Sequence, residues 1–202
     1  MNKFIVLCGG EGSGKSTMID RLKVKYPTGI VFTREPGGTQ YAESIRALMF
    51  SADGQVSTAE TQFGLAFAAR NDHMHKKIIP ALNAGHVISD RFDCCTFAYQ
   101  VCGGEAPQLL DLFWATRDIF VPRKPDLYIF FDVPPAVGLA RASTRKTGNN
   151  FFDEKKLPFH EAIYAGYKEF LKKVPHKTID ARQPIEDVWK DVEQIMAQEL
   201  GK

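Results

Sequence analysis

Near the start of the chain, Gly9-Gly10-Glu11-Gly12-Ser13-Gly14-Lys15-Ser16 fits the pattern G-x-x-x-x-G-K-[ST]. Glycines at this density let successive backbone N–H groups turn inward round phosphate oxygens. Lys15 would reach the β- and γ-phosphates, and the Ser16 hydroxyl could ligate Mg²⁺. A helix beginning at Lys15 would add its positive end to the same anion. By chance this pattern should arise in roughly one chain in a hundred of this length. The plainer reading is a glycine-rich turn with an incidental lysine. An apolar run, Phe4–Cys8, precedes the loop and a helical pattern follows, as phosphate binding requires.

A second loop, Thr33-Arg34-Glu35-Pro36-Gly37-Gly38-Thr39, combines a tight turn with a cation. Taken alone it reads as a structural turn; beside a phosphate loop it reads as a place where backbone approaches a second ligand. Asp90-Arg91-Phe92 follows another apolar run, and Asp132-Val133 a third.

These segments need a frame that brings them to one edge. Short apolar runs at Lys3–Cys8, Gly29–Thr33, His86–Asp90 and Leu127–Asp132, and one around Ile179, alternate with helical patterns. The helices are expected at Lys15–Lys25, Tyr41–Phe50, Glu60–Asn83 with a break or bend near Pro80, and Ala106–Phe120, with another opening at Pro134–Pro135. The last is the clearest, with Ile185, Val188, Trp189, Val192, Ile195 and Met196 on one face. Strands that are apolar without alternation are buried on both faces, which predicts a three-layer α/β domain with a five-stranded parallel sheet. In such sheets ligands bind beyond the carboxyl ends of the strands, where all the segments above lie.

Composition narrows the function further. The 202 residues carry a net charge of +2, too balanced to point to nucleic acid or to a membrane surface. With 44% hydrophobic and 25% charged residues the chain is an ordinary globular one, and one domain over residues 1–202 suffices. No apolar stretch approaches 18 residues and none resembles a secretory leader. Cys8, Cys94, Cys95 and Cys102 show no metal-binding spacing and read as reduced thiols of a cytoplasmic protein. His73, His75 and His86 have no ligand spacing either and read as surface or helix residues. The guanine-reading [NT]-K-x-D tetrad is missing, which favours a small-molecule kinase over a GTPase.

Taken together, the phosphate loop, Thr33–Thr39, Asp90-Arg91-Phe92, Phe97-Ala98-Tyr99-Gln100, Lys124-Pro125-Asp126-Leu127, Asp132-Val133-Pro134-Pro135, Gly138-Leu139-Ala140-Arg141 and Ile179-Asp180-Ala181 resemble bacterial thymidylate kinase, a P-loop nucleoside-monophosphate kinase, in order along nearly the whole chain. The resemblance implies transfer of the γ-phosphoryl group of ATP to dTMP, with Mg²⁺, giving dTDP and ADP for dTTP synthesis. It also implies a homodimer, for which the apolar Glu60–Asn83 segment could supply the interface.

The same resemblance distributes roles. Gly10, Gly12, Ser13, Gly14, Lys15, Ser16, Thr17, Arg141 and Arg182 would bind ATP; Ser16 and Asp90 would serve the metal. On the acceptor side, Arg91 would hold the dTMP phosphate, for which a guanidinium fork suits better than a lysine. Glu11 would take the sugar 3′-hydroxyl, Arg70 a thymine carbonyl and Gln100 the pyrimidine edge, with Arg34, Thr96 and Tyr99 completing the set. Members of the family carry a stacking aromatic four residues before the arginine that Arg70 matches; here that place is Ala66, and Phe67 stands three before. Phe67 therefore either stacks on the base after a small register shift or belongs to the core.

The basic stretch of about 142–152 reads as a lid. The phosphate loop has no arginine at Gly10, Glu11, Gly12 or Ser13, so the resemblance places the second catalytic cation in the lid, with Arg145 first and Lys146 as fallback. The family's Asp-Arg-Phe-Glu run is replaced by Asn150-Phe151-Phe152-Asp153, without its arginine. Two rivals stay open at this point: a kinase for another nucleotide or nucleoside, and a nucleotide-binding switch without turnover. Three acceptor-side arginines, Arg34, Arg70 and Arg91, argue against the switch, which needs no second anion site.

Overall fold

The computed structural model describes residues 1–144 and 155–201. β1 (Phe4–Cys8) leads through the glycine-rich loop into α1 (Lys15–Lys25), then β2 (Ile30–Arg34) and α2 (Gln40–Phe50). A single turn, α3 (Ala52–Gln55), precedes α4 (Ala59–His73), a π-helical turn at Met74–Ile78 and α5 (Ile79–Ala84). After β3 (His86–Asp90), α6 (Asp93–Thr96) runs into a second π stretch, Phe97–Gly103, and α7 (Leu109–Phe120) follows. β4 (Leu127–Asp132), α8 (Pro135–Ala142), α9 (Leu157–Leu171), β5 (His176–Asp180) and α10 (Ile185–Leu200) complete the order.

The sheet is five-stranded and wholly parallel, in the order β2-β3-β1-β4-β5, as the apolar runs predict. β1 is central, so its side chains alternate between two cores. Phe4, Val6 and Cys8 face one core with Phe67, Phe92, Phe113, Tyr128 and Phe170. Ile5 and Leu7 face the other, filled by Met18, Ile19 and Leu22 of α1 and Val188, Val192 and Met196 of α10. A small third cluster joins α2 and α4 through Ala42, Ile45, Met49, Ala66 and Ala69. No helix among the described residues is long and apolar enough to cross a membrane.

Several elements differ from the sequence expectation, and α3, α6 and the π stretch Phe97–Gly103 have no counterpart in it. The long helix expected over Glu60–Asn83 is interrupted not at Pro80 but one turn earlier, where Ile79 N–H bonds the carbonyl of Met74, five residues back. Proline has no N–H and its ring crowds the carbonyl four residues before it; widening the preceding turn relieves both. Ala106–Phe120 begins its helix only at Leu109. α9 has no counterpart among the elements expected from the sequence, which pass from the basic lid segment to the strand around Ile179. Its buried residues His160, Ile163, Tyr167, Phe170 and Leu171 nevertheless keep helical spacing. The α6 segment is tied down by a buried cluster in which Arg117 Nε and the Tyr128 hydroxyl both donate to Asp93, at 2.5 and 2.6 Å.

Candidate active site

β1 ends in a loop that the sheet's centre presents to solvent. Gly12 adopts φ +66°, and a Cβ there would lie 1.9 Å from the carbonyl oxygen of Gly138 on α8. A Cβ on Gly138 would in turn lie 2.3 Å from the carbonyl oxygen of Glu11. Two glycines thus let the loop dock directly on α8. α1 has no side-chain cap and no acidic residue in its first turn, leaving its first N–H groups for an anion. Ser13 Oγ is buried in the loop without a partner among the described residues. Lys15 is buried, and desolvation, reinforced by the Arg91 charge, pulls its ammonium below the ordinary lysine range. An anionic ligand would reverse that pull.

Beside the loop lies a cavity of about 470 Å³ lined by Glu11, Glu35, Arg46, Arg70, Arg91, Phe92, Cys95, Thr96, Tyr99 and Gln100 among others. Six of the eight expected acceptor residues therefore converge: Glu11, Arg70, Arg91, Thr96, Tyr99 and Gln100. Arg91 Nη2 donates to Glu11 Oε1 at 3.0 Å and its Nη1 to the Tyr99 hydroxyl at 3.2 Å. That hydroxyl also donates to Glu11 Oε1 at 3.2 Å. Burial, opposed by Arg91, keeps the Tyr99 phenol protonated far above neutral pH, so it remains a donor. Arg70 Nε donates to Glu35 Oε2 at 2.8 Å and Nη2 to Thr96 Oγ1 at 2.9 Å, while Nη1 is buried and has no partner among the described residues.

The other two expected residues lie elsewhere. Arg34 is exposed, pairs with Glu43 at 2.9 Å and lines a separate cavity of about 390 Å³ with Thr33, Gly38, Lys77 and Asp90. Successive residues of an extended strand point to opposite faces, so the side chain that enters the acceptor cavity is Glu35. Phe67 is in the core, against Phe63, Phe113 and Phe120, and lies outside the residues lining the cavity. The aromatic rings that do line it are Phe50, Phe92 and Tyr99.

Sequence reading missed three residues. Arg46 lines the cavity, donates to the Pro36 carbonyl at 3.0 Å and stands over the Phe50 ring. Partial burial, with the charges of Arg34 and Arg91 adding, lowers its pKa, so two guanidiniums converge on one space. Glu35 was quoted only as part of a turn. His73 is no surface residue: it is fully buried, with Nδ1 3.0 Å from Glu35 Oε1 and Nε2 2.7 Å from Thr33 Oγ1. Its place on the buried face of α4, with Phe63, Phe67 and Arg70, was the available signal.

On the opposite side of the loop, Arg141 donates to the carbonyls of Ala181 and Arg182 at 2.6 and 3.2 Å. Arg182 is paired with Asp180, whose carboxyl those bonds lower to about 2. The two expected ATP arginines are thus neighbours at the ends of α8 and β5. For a metal, Asp90 Oδ1 is a buried acceptor without a partner among the described residues, at the end of the strand beside β1. Among the described residues no cluster of three or more His, Cys, Asp or Glu forms a cage. One carboxylate plus the Ser16 hydroxyl fits an ion that keeps its waters and phosphate ligands. Arg145, Lys146 and most of the lid at about 142–152 lie outside the described residues.

A family model described as thymidylate kinase matches residues 8–192. The thymidylate kinase of Caulobacter vibrioides is 38% identical over 98% of this chain and 97% of its own length. That of Magnetococcus marinus is 36% identical over 95% of both. The crystal structure of thymidylate kinase from Ehrlichia chaffeensis superposes with a TM-score of 0.73 at 28% identity, covering 96% of this chain and 98% of that one. Matched along nearly its full length, and with a phosphate loop opening on an arginine-lined cavity, the chain belongs to the thymidylate kinase family, whose members phosphorylate dTMP to dTDP with ATP.

Proposed function

We propose that the 470 Å³ cavity is the dTMP site and the glycine-rich loop the ATP site of a single kinase domain. The observation that carries this division is Glu11, a residue of the phosphate loop that also lines the cavity and pairs with Arg91. A molecule in the cavity thus lies next to the end of a triphosphate cradled by the loop.

Joining two polyanions is mainly a matter of positioning and charge neutralisation. Arg91 and Arg46 take the acceptor phosphate, bringing two cationic forks to one dianion. Arg91 exchanges its Glu11 partner for that phosphate, and Glu11 is released to accept a hydrogen bond from the sugar 3′-hydroxyl. Arg70 Nη1 donates to a pyrimidine carbonyl, with Thr96 and Gln100 beside it. Phe92 and Tyr99 supply apolar wall for base and sugar. Lys15 follows the charge on the transferring phosphoryl group, while Gly10, Gly12, Ser13, Gly14 and Thr17 enclose the triphosphate. Arg141 and Arg182 flank the nucleotide from the far side. The divalent metal that an ATP-dependent kinase implies would be Mg²⁺; Ser16 and Asp90 would hold it, and its charge would offset that of the phosphates. Arg145, from the lid, is the second catalytic cation beside Lys15, with Lys146 as fallback.

The reading includes a cytoplasmic enzyme, supported by four free cysteines. It also includes a homodimer. α4 is largely occupied within its own chain, and the apolar surface left over nearby is Tyr41 and Leu48 of α2, 61% and 59% exposed and two turns apart.

A coupled ADP-release assay with dTMP, dUMP, UMP, CMP and thymidine tests the acceptor. We expect dTMP to be used best and dUMP about 10–200-fold less well, since one methyl group contributes only ~1–3 kcal/mol. Equal or better turnover of CMP or thymidine overturns the reading.

A further inference from the structure

Arg70 is held in an unusual way. Its side chain is 3% exposed, that of Glu35 4% and that of His73 0%. Of the guanidinium's donors, Nε is taken by Glu35 Oε2 and Nη2 by Thr96 Oγ1. The rings of Phe67 and Phe92 lie 4.9 and 5.1 Å from its central carbon and restrain its plane. Rings cannot stop the fork turning within that plane; two directional hydrogen bonds can. Besides the second N–H of Nη2, what remains is Nη1, buried, without a partner among the described residues and carried by a residue that lines the cavity.

Glu35 is itself fixed from behind. Its second oxygen, Oε1, meets His73 Nδ1 at 3.0 Å. A carboxylate paired with an arginine has no proton to give, so Nδ1–H is the donor. The other ring nitrogen is pinned by Thr33 Oγ1 at 2.7 Å, and Gly38 packs so tightly there that a Cβ would lie 2.3 Å from Nε2. The half-buried Thr33 and the buried His73, Glu35 and Arg70 therefore form one hydrogen-bonded line from the end of β2 to the cavity.

Resting on the acceptor assignment above, we infer that the buried Glu35–His73 pair is a positioning device for specificity: by clamping the Nε edge of Arg70 it leaves Nη1 as a fixed lone donor, which accepts a pyrimidine bearing a carbonyl group and disfavours one bearing an amino group. An N–H that cannot turn away meets a carbonyl with a hydrogen bond and an amino group with an unpaired donor. A site built this way can discriminate far more strongly than one that merely fits a shape.

The test measures kcat and KM for dTMP and dCMP at saturating ATP, with Tm alongside. Glu35→Gln should raise KM for dTMP at least ~10-fold with kcat within about threefold, since the lost fit is a binding one. The ratio of kcat/KM for dTMP over dCMP should narrow by at least ~10-fold. His73→Asn, whose amide N–H stands in for Nδ1–H, should keep the ratio within about threefold, whereas His73→Phe should narrow it as Glu35→Gln does. A folded Glu35→Gln or His73→Phe with the native ratio overturns the inference, even with a lowered Tm, because a structural role alone would not move acceptor choice. Should both fail to fold, Thr33→Val decides: removing the hydroxyl that pins His73 should narrow the ratio at least about threefold, and an unchanged ratio overturns the inference. Failure of the native protein to phosphorylate dTMP would sink the acceptor assignment; native use of dTMP with an unmoved ratio sinks only this positioning role.

Discussion

Arg91 has φ +66°, a conformation side-chain-bearing residues rarely adopt. It is enforced by its N–H bonding the Leu7 carbonyl at 2.9 Å and its own carbonyl accepting from Ser89 Oγ at 2.7 Å. Such enforced strain aims a side chain at a defined point, here between Glu11 and Tyr99. Truncating Arg91 and truncating Lys15 should therefore fail differently. Arg91→Ala should raise KM for dTMP and lower kcat together, each by at least ~10-fold, because its fork meets the acceptor before and during transfer. Lys15→Met should fall almost wholly on kcat, by ~10²–10³-fold, since its charge matters most as the phosphoryl group leaves. Steady-state kinetics over both substrates separate the two, and an unchanged KM for dTMP in Arg91→Ala removes its assigned role. Lys15 also carries a stability prediction. Its pKa is depressed by burial, so the folded protein holds that proton less tightly than the unfolded chain does. The resulting penalty is complete below the folded pKa and fades as pH rises towards the unfolded value of 10.5. Lys15→Met should thus raise the Tm of the ligand-free protein at pH 7, by about 2–4 °C for each kcal/mol recovered, and the gain should shrink by pH 10.5. Thermal melts at the two pH values check the sign.

At the scale of elements, the contact between the glycine-rich loop and α8 is the tightest in the site. Gly138→Ala keeps helical backbone but places a methyl group 2.3 Å from the Glu11 carbonyl oxygen, so the loop must move. Overpacking of this kind costs ~1–3 kcal/mol. We expect KM for ATP to rise several-fold and KM for dTMP to change as well, because Glu11 shifts with the loop; an unaltered KM for ATP would show that the docking is not needed. The elements also explain how far the sequence could be read. The apolar runs of β1, β3 and β4 name the sheet because a parallel strand covered on both faces leaves no polar positions. Both edge strands are less plain: β5 buries only Ile179, and period-two alternation along β2 sent Arg34 and Glu35 to opposite sides, where composition alone could not choose between them. The acceptor arginines Arg70 and Arg91 were legible from motif, whereas Arg46 lies in an otherwise ordinary amphipathic helix. Phe67 shows the limit of spacing arguments. One residue's shift, about 100° round a helix, separates a wall of the cavity from the core behind it.

For the whole molecule, β1 at the centre of the sheet divides the work. Every residue lining the acceptor cavity lies between Glu11 and Gln100, while Asp132, Gly138, Arg141 and Arg182 belong to the later half. Homodimer formation through the exposed Tyr41 and Leu48 would add a second unit on α2, the helix whose Arg46, Met49 and Phe50 line the cavity. Leu48→Glu should then convert a dimer of about 45 kDa into the 22.6 kDa chain, measured by light scattering after size exclusion. A native protein already monomeric at micromolar concentration, or a Leu48→Glu dimer, would place the interface elsewhere or remove it.

The division at β1 has a consequence for how such an enzyme can change over time. Apart from Glu11, acceptor choice is written in one continuous stretch of chain, and apart from Asp90 donor handling lies in the segments on either side of it, so the two can be inherited separately. Exchange of residues 30–103 between relatives that share Asp90 would carry over the pyrimidine preference as a block and leave the phosphate loop, Arg141 and Arg182 native. One place where such a hybrid must match is especially tight: Gly166 of α9 lies against Cys102, where a Cβ would come within 2.8 Å of its sulfur. Any donor of the exchanged block with a bulkier residue at 102 would have to bring its own α9 with it.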